Sequence, residues 1–178
     1  MADVVDFWDV LKRRCSVRRF DHSRDVPDKM IKTLLKAAIM APSAGNCQPW
    51  RFIVVHQPEV KEALAVAAWG QFFLSQAPVV IAVCAEPARS AARYGKRGEE
   101  LYCLQDTAAA AEHILLGATA LGLGACWVGA FDEEQAAEAL NLDDRFRPVA
   151  LVAIGYAASE PSVGPPRRPL DEVVDTIG

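Results

Sequence analysis

The feature that most constrains the fold of this chain is a long apolar segment, residues 101–121. Its apolar side chains cover most of the circumference of a helix instead of one stripe, so none of its faces is suited to water. Asp106, Glu112 and His113 interrupt the segment, which therefore lacks the roughly 20 consecutive apolar residues of a membrane span. The segment predicts a helix buried on nearly all sides, either at the centre of its own domain or at an interface between subunits.

Length and composition indicate one domain over residues 1–178. Apolar residues make up 52% of the chain, and a chain of this length can remove roughly 70% of its unfolded surface from water. The five cysteines contain no C-x-x-C pair and the three histidines have no metal-ligand spacing, which favours buried, reduced thiols and predicts no metal site. Residues 1–6 are acidic and lack the regions of a signal peptide. We therefore expect a cytoplasmic protein with no membrane segment.

Positive charge is concentrated in residues 12–24, which hold six basic residues against one acidic residue, whereas the whole chain carries a net charge of −4. Nucleic acid is disfavoured as a partner, because a duplex requires an extended basic face. Two interpretations remain: the segment binds one compact anion, or it is the solvated end of a helix. A second basic pair, Arg167 and Arg168, lies near the end of the chain. The two groups are predicted to converge on the same anion.

Hydrophobic periodicity predicts an α+β fold, not regular βαβ alternation. Helices are predicted over residues 4–14 behind Asp3, 28–40, 58–68 and 101–121, with a short helix after Asp132, whose spacing to Gln135 is that of a capping box. Strands are predicted over residues 51–55, 79–83 and 149–154, with a return to the sheet within 122–129. Two prolines, a glycine and an asparagine make residues 41–49 a loop, and residues 95–100 are polar and predicted to be exposed.

Three common nucleotide-binding and hydrolase motifs are absent from the sequence. Gly122 and Gly124 close a predicted helix instead of following a strand and opening one, so they do not form a dinucleotide-binding loop. No Gly-Lys-Ser/Thr sequence forms a Walker loop, and Ser43 does not lie in Gly-x-Ser-x-Gly. The corresponding classes of protein are excluded.

Two short segments carry side chains suited to a phosphorylated heteroaromatic ligand. The first offers two guanidinium groups and a hydroxyl, which together can bind phosphate oxygens. The second offers a hydroxyl and two carboxamides, which donate and accept hydrogen bonds as a heteroaromatic edge requires, although such a loop can also satisfy its own backbone. The side chains concerned are Arg14, Ser16 and Arg18 in the first segment and Ser43, Asn46 and Gln48 in the second.

Six segments, in order over nearly the whole chain, resemble the nitroreductase family of FMN-dependent oxidoreductases. They are residues 14–20 (RCSVRRF), 41–52 (APSAGNCQPWRF), 77–81 (APVVI), 105–106 (QD), 122–131 (GLGACWVGAF) and 167–170 (RRPL). The pattern Pro-Ser-x-x-Asn-x-Gln-Pro-Trp at residues 42–50 is the most specific of them. Its occurrence together with the other five makes coincidence a poor explanation.

The resemblance implies an α+β fold with a central, mostly antiparallel sheet surrounded by helices, and an intertwined homodimer with two FMN sites at the subunit interface. Each site would draw on both chains. The groups expected to hold the phosphate and ribityl chain are Arg14, Cys15, Ser16, Arg18, Arg167 and Arg168. Those expected at the isoalloxazine ring are Ser43, Asn46 and Gln48, from the partner subunit, and on its other side Val128 and Gly129, with the Gly129 N–H near N5.

The same resemblance implies that NAD(P)H delivers hydride to flavin N5 and leaves, after which a nitroaromatic, quinone or similar small acceptor binds the same face in a ping-pong mechanism. No side chain is expected to act as acid, base or nucleophile, because the cofactor performs the electron transfer. Phe72, Phe73, Tyr94 and Trp127 are candidates to line the open face. Residues 89–99 are predicted to be either a lid or a solvated loop.

The chain departs from the common family pattern at two positions. Cys15 stands where a second basic residue is frequent and Pro165 where some relatives carry a lysine, which predicts a weaker grip on the phosphate. Two alternatives to the reductase remain open: a non-catalytic FMN-binding or carrier protein, which has the same basic grip, and an enzyme with another flavin chemistry, such as a dehalogenase, a flavin-fragmenting enzyme or a peptide dehydrogenase. The sequence leaves open the acceptor and the choice between NADH and NADPH.

Overall fold

A four-stranded antiparallel sheet carries the fold in the computed structural model, which describes residues 6–160 and 164–178. The strands are β1 (Trp50–Val55), β2 (Val79–Ala85), β3 (Gly124–Val128) and β4 (Arg147–Gly155). Their order is β1-β2-β4-β3, and every pairing between neighbours is antiparallel. The α+β class predicted from the sequence is therefore confirmed.

Seven α-helices accompany the sheet in the described part of the chain. They are α1 (Phe7–Arg13), α2 (Asp28–Ala38), α3 (Pro58–Ala67), α4 (Phe73–Gln76), α5 (Pro87–Arg97), α6 (Cys103–Ala120) and α7 (Glu133–Ala139). Short 3₁₀ turns cover Ala44–Asn46 and Leu170–Glu172, and a π-helical turn, Gly98–Tyr102, joins α5 to α6. Among the helices of residues 6–160 and 164–178, none is both long and apolar enough to cross a bilayer.

The helices form one layer on each face of the sheet, because every central strand is apolar on both sides. All seven residues of β2 are buried, as expected for a strand covered on both faces. One face packs against α2 and α6 through a cluster that includes Leu34, Ile81 and Ile114. The other face packs against α3, α4 and α7 through a cluster that includes Leu64 and Leu151.

The apolar segment becomes α6, which is the central helix of its own domain. Its buried residues include Thr107, Ala111 and Ala118, and it lies between α2 and the sheet. Gly117 allows the close approach of α2, since an added Cβ would lie 3.0 Å from Cδ2 of Leu34. Of the two interpretations of this segment, burial inside one chain accounts for its composition without a second subunit.

Local details correct the predicted start of the first helix. Asp3 and Val4 lie outside the described residues, and the N-cap of α1 is Asp6, which accepts hydrogen bonds from the N–H groups of Trp8 and Asp9. Residues 95–100 are exposed, as predicted, except for Gly98, which is buried where an added Cβ would lie 2.4 Å from the carbonyl oxygen of Ser90.

The predicted cap of α7 is confirmed in part. Asp132 accepts the N–H of Gln135 at 2.9 Å, as the spacing predicted. The Gln135 side chain does not return to the Asp132 N–H, which donates to Ala67 instead. A tertiary bond to the end of α3 therefore replaces the second half of the capping box.

Candidate functional site

The basic segment at residues 14–18 leaves α1 and lies along β3. The Val17 N–H donates to the carbonyl oxygen of Ala125 at 3.0 Å, and Ser16 pairs with Ala125 as an isolated parallel bridge. Gly124 permits this contact, because an added Cβ there would lie 2.8 Å from Cβ of Val17. The segment is thus fixed by its backbone, which leaves the side chains of Arg14 and Arg18 for other contacts.

Three predicted phosphate-binding side chains all act on the pKa of one buried thiol. Burial raises the pKa of Cys126, while the charge of Arg18, a polar contact with Ser16 and the charge of Arg14 act in the opposite direction, in that order. The guanidinium of Arg18 also lies 5.8 Å from the ring centroid of Phe73, a cation–π distance. Ser16 and Arg18 are exposed and Arg14 is half-buried, so all three are open to a ligand in solution.

Cys15 is separated from these three side chains. It lines a cavity of about 670 Å³ together with Val17, Arg24 and Tyr156. The guanidinium of Arg24 lies 3.4 Å from the centroid of the Tyr156 ring. Because alternate residues of an extended segment point in opposite directions, Cys15 and Val17 face this cavity and Arg14, Ser16 and Arg18 face the other way.

The loop before β1 brings together the second predicted group. The hydroxyl oxygen of Ser43 accepts the backbone N–H of Gln48 at 3.0 Å, and Nε2 of Gln48 donates to Oδ1 of Asn46 at 3.1 Å. Asn46 and Gln48 have φ values of 56° and 51°, in the left-handed region that is unfavourable for residues other than glycine. The Ser43 hydroxyl thus serves a backbone N–H of its own loop, as one of the two interpretations of the sequence expected. The same bonds keep Ser43, Asn46 and Gln48 together.

Helices α5 and α6 hold this loop from outside. Oδ1 of Asp106, in α6, accepts the Ala44 N–H at 3.0 Å, and burial raises the pKa of the Asp106 carboxyl against the lowering effect of that bond. From α5, Arg93 donates to the carbonyl of Gly45 at 2.8 Å and Arg89 donates to that of Cys47. These contacts were not predicted from the sequence. Asp106 was noted only as part of the family pattern at residues 105–106, and Arg89 and Arg93 were not predicted to bind the loop.

Residues 89–99 are neither a solvated loop nor a separate lid in this structure. They belong to α5 and the π-helical turn, and the side chain of Arg93 packs against Gly45, where an added Cβ would lie 2.7 Å from its guanidinium. The ring of Tyr94 is in edge contact with that of Tyr102, at 5.2 Å between centroids. The prediction of a loop failed because two helical stretches meet at Gly95, whose φ of 55° and ψ of −145° break the helical path with a kink.

Val128 and Gly129 end β3 at the opposite edge of the sheet from the loop. Val128 is buried and Gly129 is exposed. Strands β2 and β4 lie between β3 and β1, a separation of three strand spacings, or roughly 14 Å. The basic segment and the loop are also apart, because they lie near opposite ends of α6: Asp106 holds the loop, and Ala118 accepts the N–H of Leu123 just before β3, roughly 18 Å along the helix.

The two C-terminal arginines contact only their own segment in the described part of the chain. Arg168 forms an exposed ion pair with Glu172, at 3.2 Å, and Arg167 donates to the carbonyl of Pro165 at 3.5 Å. The predicted convergence of the two arginine groups is not seen within one chain: among residues 6–160 and 164–178, no hydrogen bond or ion pair joins Arg167 or Arg168 to residues 14–18.

The sheet between two helical layers, with a basic segment at one edge and an amide-bearing loop at the other, defines the nitroreductase fold. A nitroreductase family protein from Streptococcus pneumoniae superimposes with a TM-score of 0.86 at 27% identity, over 97% of this chain and 100% of its own. One from Clostridium difficile superimposes with a TM-score of 0.84 at 31% identity, over 96% and 98% of the two chains.

Sequence comparison gives the same assignment. The nitroreductase family model matches residues 11–73 and 67–156. A protein of Archaeoglobus fulgidus is 38% identical over 83% of each chain, and the NADH dehydrogenase of Thermus thermophilus is 36% identical over 92% of each. The chain belongs to the nitroreductase family and is an NAD(P)H oxidoreductase of that family.

Proposed function

We propose that this protein is an FMN-dependent enzyme that takes hydride from NAD(P)H and reduces a nitroaromatic compound, a quinone or a similar small acceptor by a ping-pong mechanism. The observation that carries the proposal is the group formed by Arg14, Ser16 and Arg18. Within residues 6–160 and 164–178, neither arginine forms an ion pair with a carboxylate. Two uncompensated guanidinium groups beside a hydroxyl fit a phosphomonoester, which they can bind through bidentate hydrogen bonds.

The loop fits the other end of FMN, whose ring edge both donates and accepts hydrogen bonds. Nε2 of Gln48 donates to both Oδ1 and the backbone carbonyl oxygen of Asn46, whereas Nδ2 of Asn46 and Oε1 of Gln48 form no hydrogen bond with the described residues. One free donor and one free acceptor therefore lie side by side. The exposed Gly129 offers backbone without a side chain at the end of β3, where a planar ring can approach closely.

The separation of these groups supports an intertwined homodimer. The loop and Gly129 lie at opposite edges of one sheet, so one ring can contact both only if the loop comes from a second copy of the chain. Many large apolar side chains of the described residues are exposed and available for such an interface. They are Phe7, Trp8, Leu11, Ile39, Met40, Val66, Trp69, Phe72, Leu170, Val173, Val174 and Ile177. Apolar exposure on this scale is typical of a protein interface.

In this proposal the side chains bind and orient the cofactor, and the cofactor carries out the chemistry. Bound FMN supplies the electron transfer between NAD(P)H and the acceptor. The arginines and Ser16 would fix the phosphate, and the loop would orient the ring edge. Gln71 donates to the carbonyl of Ala130 at 3.1 Å, which joins the segment before α4 to the end of β3. No side chain is assigned a role as acid, base or nucleophile, and no metal is assigned to the site.

Anaerobic spectroscopy on the purified protein tests this function. We expect a yellow protein whose visible absorption is bleached by NADH or NADPH and restored by a quinone or a nitroarene. Bleaching by one nucleotide and not the other would identify the donor. A bound flavin that neither nucleotide reduces would instead indicate a carrier protein, and a protein that binds no added FMN would refute the proposal.

A further inference from the structure

Asp106 is a buried charged side chain that the proposed mechanism does not use. Only 7% of its surface is exposed, in the first turn of α6. Its Oδ1 accepts the Ala44 N–H at 3.0 Å, and its Oδ2 is buried with no hydrogen-bond partner among the described residues. Buried carboxylates are normally fully paired, so a half-paired one that is retained indicates a role for its single bond.

That single bond reaches the loop at its most constrained point. Ala44 begins the 3₁₀ turn, and three of the next four residues, Gly45, Asn46 and Gln48, are left-handed. Non-glycine residues in that region store strain, and they keep the conformation only when their surroundings impose it. The other two external anchors, Arg89 and Arg93, are exposed side chains that bind carbonyl groups. Asp106 supplies the only buried external anchor that we find for the loop in the described residues.

We propose that Asp106 is a positioning residue for the flavin ring: its bond to Ala44 holds the loop in the strained conformation that aligns Ser43, Asn46 and Gln48. That the ligand is a flavin rests on the proposed function. That Asp106 anchors the loop does not depend on it. Asp106 is buried, so water does not replace this bond when it is lost, and the Ala44 N–H is left without a partner. An acceptor of the same shape at this position can hold the loop, whether it is a carboxyl or an amide.

Two variants break the bond from opposite sides. Asp106→Ala removes the acceptor. Ala44→Pro removes the donor, and Ser43, with φ −142° and ψ 149°, already has the extended conformation that a residue before proline prefers. Asp106→Asn is the conservative control, because its amide oxygen can still accept the Ala44 N–H. Glu112→Ala, in the same helix, controls for the loss of a carboxylate.

The measurements distinguish an effect on binding of the flavin ring from an effect on binding of the phosphate. Binding of riboflavin, which lacks the phosphate, and of FMN is followed by quenching of flavin fluorescence, and exchange of the Ala44 amide is followed in the flavin-free protein. We expect Asp106→Ala and Ala44→Pro to weaken both flavins by the same factor, about tenfold or more. We expect Asp106→Ala to lose protection of the Ala44 amide, and Asp106→Asn and Glu112→Ala to behave as wild type.

The outcomes distinguish this inference from the proposed function. Wild-type affinity for riboflavin and wild-type exchange at Ala44 in Asp106→Ala would overturn the positioning role and leave the flavin site intact. Weakened FMN binding with unchanged riboflavin binding would also overturn it, because the effect would then act on the phosphate. A wild-type protein that binds neither flavin would refute the proposed function, and the exchange of the Ala44 amide would then decide the anchoring by itself.

Discussion

The backbone N–H of Val17 donates to the carbonyl oxygen of Ala125 at 3.0 Å, and this bond fixes the basic segment against the edge strand β3. It also sets the direction of the neighbouring side chains. Arg14, Ser16 and Arg18 all act on the pKa of Cys126, whereas Cys15 faces a separate cavity. The position of the candidate phosphate site therefore depends on the close packing of two backbone segments.

Gly124→Ala tests that packing. Its Cβ would lie 2.8 Å from Cβ of Val17, so residues 14–18 must shift away from β3. Overpacking of this kind costs about 1–3 kcal/mol of stability, and we expect a lower melting temperature together with weaker FMN binding. Gly164→Ala is the control, because nothing lies within 4 Å of its added Cβ. FMN affinity equal to that of the control would show that the segment does not carry the phosphate site.

Replacing Arg14 and Arg18 with alanine tests directly whether these side chains bind the FMN phosphate. Each charged hydrogen bond contributes about 1.5–3 kcal/mol, with the lower end more apt for the exposed Arg18. We expect FMN to dissociate from the double variant during gel filtration, while riboflavin affinity changes little. Arg19→Ala, an adjacent exposed arginine, should retain FMN. Full retention by the double variant would place the phosphate elsewhere.

The sequence predicted most of the helices and strands, because these depend on short-range patterns. The β-branched run of β2, the apolar α6 and the Asp132 cap each have a local signal, and the structure contains all three. The candidate loop residues Ser43, Asn46 and Gln48 were identified from the nine consecutive positions 42–50. Their strained conformation was not, since it is imposed by Asp106 and by α5 from distant parts of the chain.

Long-range relationships are harder to predict from local patterns, and the convergence of the two arginine groups stays a prediction. The sequence predicted a loop or lid where α5 lies, because Gly95 breaks the helical path with a kink and only the fold shows that helical backbone lies on both sides of it. The convergence of Arg167 and Arg168 with residues 14–18 was inferred from shared charge, which gives no distance. In one chain these arginines contact Pro165 and Glu172 instead.

Asp106→Asn should change stability in a way that depends on pH. Burial raises the pKa of Asp106 above its ordinary value of 3.8, so the folded state favours the protonated carboxyl. The contribution of this protonation to the free energy of unfolding is fully present below pH 3.8 and is lost as the pH rises through the higher folded-state pKa. The neutral amide avoids the loss, and we expect Asp106→Asn to have the larger free energy of unfolding at pH 7.

Urea titrations of the wild type and the variant at pH 7 and at acid pH check this expectation. The difference in the free energy of unfolding between Asp106→Asn and the wild type should decrease as the pH falls towards 3.8. Glu112→Gln is the comparison, because it replaces a carboxylate by an amide in the same helix. An advantage that stays constant across this range would mean that it arises from packing or hydrogen bonding and not from the charge of Asp106.

Sedimentation equilibrium tests the proposed homodimer. We expect twice the chain mass of 19.3 kDa at micromolar concentration, because the separated halves of the site require two copies. Trp8, 65% exposed on α1, is a candidate contact, and Trp8→Glu should raise the dissociation constant and release FMN in parallel. A monomer that binds FMN with full affinity would contradict the shared site.

The double variant Arg167→Ala, Arg168→Ala tests whether the C-terminal segment reaches the phosphate in the assembled protein. The ion pair of Arg168 with Glu172 is exposed, and such pairs contribute about 0–1 kcal/mol, so the melting temperature without flavin should hardly change. If the segment binds the phosphate, FMN affinity falls while riboflavin affinity does not. Glu172→Ala is the informative control, since it releases Arg168 from its only carboxylate partner in the described chain and should leave FMN binding equal or stronger. Equal FMN affinity in wild type and double variant would assign the phosphate to residues 14–18 alone, and the C-terminal arginines would then be solvated side chains of their own segment.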